Sequence, residues 1–135
     1  MRSWLKLIPP LLVMTSIAAA AHSAKTWKRD SRGVLVAIAQ APASARERKN
    51  PYEGHPDALL AGAKLYRRHC AECHGLGGWG AERAANLHAS DVQTASPGEL
   101  EWFLRNGNVA RGMPSWSGLP EQRRWQIVAY LKTLR

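Results

Sequence analysis

Two cysteines, Cys70 and Cys73, are the only thiols in a chain of 135 residues. That excludes the disulfide framework on which many small secreted domains depend. A bridge between these two would close too short a loop to stabilise much. A four-cysteine zinc site is excluded as well, and His74, directly after Cys73, is poorly placed to join the pair on one zinc. Acidic residues are scarce, 10 against 19 Lys and Arg, for a formal net charge of +9 and a pI near 10.3. Such a balance bears on partners and steering rather than on fold. Long apolar runs are missing too: the stretch from Leu11 to Ala21 is too short to span a bilayer comfortably. No convincing strand run precedes Cys70, so a thioredoxin-like redox pair lacks its βαβ setting. The glycine-rich stretch at 75–80 is not followed by Gly-Lys-Ser/Thr, so it is no phosphate-binding fingerprint. The length allows one domain with appendages.

What the chain does contain is centred on Cys70-Ala71-Glu72-Cys73-His74. This is C-x-x-C-H, the attachment signature of a c-type haem. Two thiols add across the two vinyl groups of one haem. A gap of two residues on a helical turn lets both sulfurs reach the ring edge. His74 then lies under the iron and supplies its proximal nitrogen. With both cysteines committed, a buried covalent cofactor would form most of the core of a small domain.

Residues 1–24 read as a secretory signal: Arg2 and Lys6 precede the apolar stretch, and Ala19-Ala20-Ala21 and Ala21-His22-Ser23 offer cleavage sites. Covalent haem attachment takes place outside the bacterial cytoplasm, so the export signal and C-x-x-C-H support each other. Residues 25–54 read as a basic linker or arm, in which Lys25, Lys28, Arg29, Arg32, Arg46, Arg48 and Lys49 outnumber the acids. It is either a solvated tail or a docking segment for an acidic redox partner or an anionic membrane surface. Within it Val34–Ile38 is a short apolar run, open to packing on the domain or to a weak interaction.

The domain proper is expected over 55–135. A first helix opens at Pro56-Asp57 and runs into the haem motif, with Leu59, Ala63 and Tyr66 on one face. Gly62 inside it costs about 1 kcal/mol relative to Ala, which close approach of another helix would offset. Four glycines between 75 and 80 make a loop in which Trp79 either covers haem or packs. A second helix starts at Ser96-Pro97-Gly98-Glu99, a capping box with Pro at the first helical position, and stops at Asn106-Gly107. The last begins at Pro120. Ile127, Tyr130, Leu131 and Leu134 form its apolar face, Arg123, Arg124 and Lys132 lie elsewhere on its surface, and Tyr130 should sit near Gly62 and Tyr66.

Between these helices lies Met113, flanked by Gly112 and Pro114 in a rigid non-helical segment. Met1 and Met14 fall in the signal, so Met113 is the one methionine of the mature chain. A lone methionine is more often core filler than ligand. A C-x-x-C-H haem, however, needs a sixth ligand or an open site, and His/Met ligation suits electron transfer. His69 stands too close to Cys70 to reach the opposite face, and His55 and His88 read as surface or satisfied core histidines.

Over residues 56–135 the chain resembles the class I, monohaem c-type cytochromes of bacteria. The resemblance rests on Cys70-Ala71-Glu72-Cys73-His74-Gly75, the Gly-Met113-Pro segment, Gly62, Tyr66 and Tyr130. It is closest to the small domains attached to haem-copper oxidases or quinoprotein dehydrogenases. It implies an all-α fold, with N- and C-terminal helices crossing around one haem c bound through Cys70 and Cys73. It implies His74 and Met113 as iron ligands, no catalytic residues, and one-electron carriage between a donor and an acceptor protein in the periplasm. Nucleic acid is not an expected partner. The family often carries a proline whose carbonyl accepts a hydrogen bond from the ligand histidine. Here the comparable stretch is Ala84-Ala85-Asn86-Leu87, and the Ala85 carbonyl is the candidate replacement. Two other readings stay open: a haem enzyme or small-ligand sensor with a free sixth site, and a subunit of a larger dehydrogenase or oxidase complex.

Overall fold

A computed structural model describes residues 37–80 and 84–135. The expected signal at 1–24, the first part of the expected arm and, within it, Val34-Leu35-Val36 lie outside the described residues. The described part is all-α. In chain order it holds α1 (Ala43–Arg46), α2 (Pro56–His69), α3 (Ala71–His74), α4 (Ser90–Thr94), α5 (Pro97–Asn106), a 3₁₀ turn (Val109–Arg111) and α6 (Glu121–Leu131).

Each long helix starts where local chemistry allows it. Pro56 fills the first position of α2, where its missing N–H would have had no partner. Ser96 and Glu99 close a reciprocal capping box at the head of α5: Ser96 Oγ accepts from the Glu99 N–H, and the Glu99 carboxylate accepts from the Ser96 N–H at 2.7 Å. Gly107, at φ +69°, ends α5.

The main helix pair is α2 against α6. Gly62 faces Gln126 and Tyr130: a Cβ on Gly62 would run into the Gln126 carbonyl and lie 3.0 Å from Tyr130 Cβ. The missing side chain thus lets the two backbones touch, which is the compensation expected for a mid-helix glycine. Tyr66 and Tyr130 meet one turn further on, with ring centroids 5.2 Å apart. Around this crossing Leu100, Leu104, Trp125, Ile127, Val128 and Leu131 complete the core.

Residues 37–54 depart from the picture of a solvated arm. Ile38 is 5% exposed and belongs to the main core. α1 lies against the head of α5 so closely that a Cβ on Gly98 would meet the Ala45 carbonyl. Two cations of the segment pair with carboxylates of the helical domain. Arg46 pairs with Glu99 at 3.3 Å, and Arg48 bridges Glu101 and Glu121 while lying over the Trp125 ring. Composition could not show this, because a count of charges does not reveal where their partners are. Asn50 is buried and donates to the Trp125 carbonyl at 2.9 Å, while its Oδ1 accepts from Tyr52 N–H. Replacing Asn50 with Ala should therefore lower the unfolding free energy by about 1–2 kcal/mol in a denaturant titration, the scale of a buried hydrogen-bonded polar group.

Arg124 also departs from expectation. It is buried rather than on the surface, with its Nε 2.7 Å from Oε1 of Glu101, itself 1% exposed. Its guanidinium also donates to the Leu119 carbonyl. A buried charge is tolerable when paired and hydrogen-bonded in this way.

Candidate haem site

The haem motif follows α2 without a break in the chain's course. Cys70 caps α2 and opens α3, and His74 N–H donates to the Cys70 carbonyl at 2.9 Å. The single turn therefore carries both thiols and the imidazole. Both cysteines are free, Cys70 half-buried and Cys73 exposed. Burial pushes the Cys70 thiol up to about 11, with Cys73 adding to the rise. A thiol held neutral in this way is unlike the acidic thiolate of a redox-active C-x-x-C. Among the described residues no three His, Cys, Asp or Glu side chains converge as a metal cluster.

His74 is fixed by its other nitrogen. Nδ1 lies 2.9 Å from the Ala85 carbonyl. A carbonyl only accepts, so Nδ1 carries the proton and Nε2 keeps its lone pair. Burial pulls the His74 pKa down, against a smaller opposing effect of that hydrogen bond, so the ring is neutral at pH 7. The Ala85 carbonyl thus does what the missing proline would have done. Gly75, at φ +77°, turns the chain away after His74, and its carbonyl accepts from the Tyr66 hydroxyl at 2.6 Å. Burial, helped by Cys70 and Tyr130, pushes that phenol up to about 12, so it remains a donor.

Met113 comes from a loop with its own internal bracing. Asn108 and Met113 exchange both backbone hydrogen bonds, at 2.9 and 3.0 Å, across the 3₁₀ turn and Gly112 at φ +86°. Ser115 Oγ donates to the Arg105 carbonyl and Trp116 N–H to the Leu104 carbonyl, tying the loop to the end of α5. Gly107 permits this: a Cβ there would lie 2.6 Å from the Pro114 carbonyl carbon. The sequence signalled Gly107 as a helix stop, but nothing in it signalled the pairing of Asn108 with Met113. Trp116 in turn packs edge-to-face with the His69 ring, their centroids 5.2 Å apart. That contact brings the Met113 loop beside the last turn of α2, next to Cys70. Cys70 and Met113 are both partly buried and both pack on the core. Of the other histidines, His55 is exposed, and His88 is occupied by Gly77 and Trp79.

The residues present suit a covalent haem. There are two unpaired thiols one helical turn apart, a neutral imidazole with one free lone pair, and a half-buried thioether on a braced loop. Comparison with known proteins agrees. The sequence model of the family described as "Cytochrome C oxidase, cbb3-type, subunit III" matches residues 57–131, and the chain belongs to this family of c-type cytochromes. Its cofactor is haem c, an electron-transfer group. A named relative is the cytochrome c550 of Pseudomonas aeruginosa, 32% identical over 93 residues, which cover 64% of this chain and 62% of that protein. The chain thus spans about three fifths of the length of that relative. Among the described residues no helix is long and apolar enough to cross a membrane.

Proposed function

We propose that the protein is an exported, periplasmic one-electron carrier whose haem is joined through Cys70 and Cys73 and ligated by His74 and Met113. The observation that carries this reading is His74, with Nδ1–H donating to the Ala85 carbonyl and the Nε2 lone pair left free for a metal. Bound haem supplies the one-electron couple. His74 offers one nitrogen in a set orientation, and Ala85 keeps it in the tautomer that leaves that nitrogen free. Met113 offers a thioether, which raises the potential relative to a harder ligand. No side chain is assigned a catalytic step, and the protein works with a redox donor and an acceptor. The layout that goes with this function is an export signal at 1–24, a short remainder of the arm, and a domain that begins near Ile38 rather than at 55.

A second reading is supported by the family's description as an oxidase subunit. In it the same haem chemistry is held permanently within a larger complex, and the basic surface forms the interface. Co-purification of a partner enzyme through ion exchange at high salt would favour this over a free carrier.

The direct test is spectroscopic. Haem staining of a denaturing gel should show covalent attachment. The oxidised protein should show the weak far-red charge-transfer band of an Fe–S(Met) bond. Covalent haem without that band would remove Met113 from the iron and bring the open-site reading forward.

A further inference from the structure

The glycine loop after the haem motif should be the loosest part of the site. Gly75, Gly78 and Gly80 all have positive φ, and glycine gains most from unfolding. Yet the acceptor for His74 lies just beyond it. The structure closes this loop onto the following segment at three points. Leu87 N–H donates to the Gly78 carbonyl at 2.8 Å. His88 Nε2 lies 2.7 Å from the Gly77 carbonyl and must therefore donate. The His88 ring also stacks flat on Trp79, with centroids 3.7 Å apart and planes 7° apart. Asn86 holds His88 in register, its Oδ1 accepting from the His88 N–H at 2.9 Å. On the near side, Gly80 packs so closely that a Cβ would lie 2.6 Å from Ala84 O and 2.9 Å from Ala85 O.

From this arrangement we infer that Trp79 and His88 form a clasp that positions the Ala85 carbonyl for His74, making His88 a positioning residue for haem electron transfer. Where a proline would stiffen the acceptor segment from within, this chain stiffens it from outside. The ring of His88 is bonded to the loop on one side of Ala85, while its backbone belongs to the segment on the other. Opening the clasp lets Ala85 drift, so His74 Nδ1–H loses its partner for part of the time. The imidazole then donates less strongly to the metal, the ferric form loses more than the ferrous, and the potential rises. Trp79, 62% exposed, is thereby given a task that its exposure alone would not suggest.

The inference rests on the reading that His74 is the iron ligand. The parent ferrous holoprotein checks that first: the His74 ring protons must show the large upfield ring-current displacement of an axial ligand. If they do not, the ligation reading fails before any variant is made.

The clasp is then tested in the holoproteins His88→Ala and His88→Gln by hydrogen exchange of His74 Nδ1–H and by redox titration. His88→Ala should exchange about tenfold faster, the scale of one lost hydrogen bond, and should have a higher potential. His88→Gln keeps a donor for the Gly77 carbonyl and should recover part of both. The slow amides of α2 and α6 should keep their protection in both variants. Unchanged exchange and potential in His88→Ala would overturn the inference. So would an equal loss of protection at His74 and throughout α2 and α6, which would mark His88 as a general stabiliser.

Discussion

Gly62→Ala is expected to lower the unfolding free energy of the holoprotein by about 3 kcal/mol or more, the upper end of what overpacking costs. Two effects of the new methyl group oppose each other. Alanine favours the helix over glycine by about 1 kcal/mol, so on propensity alone the substitution would stabilise α2. Against that, the methyl group would run into the Gln126 carbonyl of α6, with Tyr130 Cβ only 3.0 Å away. The obstacle is helical backbone, which cannot rotate aside like the end of a flexible side chain. The two helices must therefore part along their length, loosening Tyr66 against Tyr130 and the core around them. A denaturant titration gives the sign directly. A midpoint equal to or above that of the parent would mean that the crossing yields, and that propensity outweighs contact.

Met113→Ala is expected to leave the haem covalently attached, to abolish the far-red band and to lower the midpoint potential by on the order of 0.1 V. That is a modest part of the roughly 0.8 V range that axial ligands set. The fold should survive the change. The loop is held by main-chain bonds between Asn108 and Met113 and by Ser115 and Trp116, none of which needs the methionine side chain. On the proposed ligation the reduced variant should also bind carbon monoxide, because removing the thioether would leave the sixth position of the iron open. A variant that kept the parent spectrum and potential would show that the sixth ligand is another residue.

Much of the site was legible in the sequence because its chemistry is local. Cys70, Cys73 and His74 lie within one turn, and the Ser96 capping box spans four residues, so spacing alone carries the information. Gly62 was legible as an oddity in search of a partner, and the Gln126 backbone is that partner. What stayed hidden was long-range and polar. Arg48 and Arg124 look like solvent-facing cations in any count of charge, yet both converge on Glu101. Ile38 sits in a basic stretch that reads as linker, yet it belongs to a core cluster whose other buried members all lie at Tyr66 or beyond. The stack of Trp79 on His88 has no periodicity to announce it, since it joins two loops rather than two faces of a helix.

The docking of residues 37–54 has a consequence for anyone who would transplant this domain. The match to the family begins at residue 57. A fusion cut there would look complete by homology and would still carry both cysteines, His74 and Met113. It would also expose the hollow that Ile38 fills and the bare Gly98 that α1 covers, and would take Arg48 from Glu101 and Glu121. The portable unit is therefore longer at its front than its family resemblance. A graft should join its host ahead of Ile38, with the segment treated as part of the electron carrier and not as a tether to be trimmed.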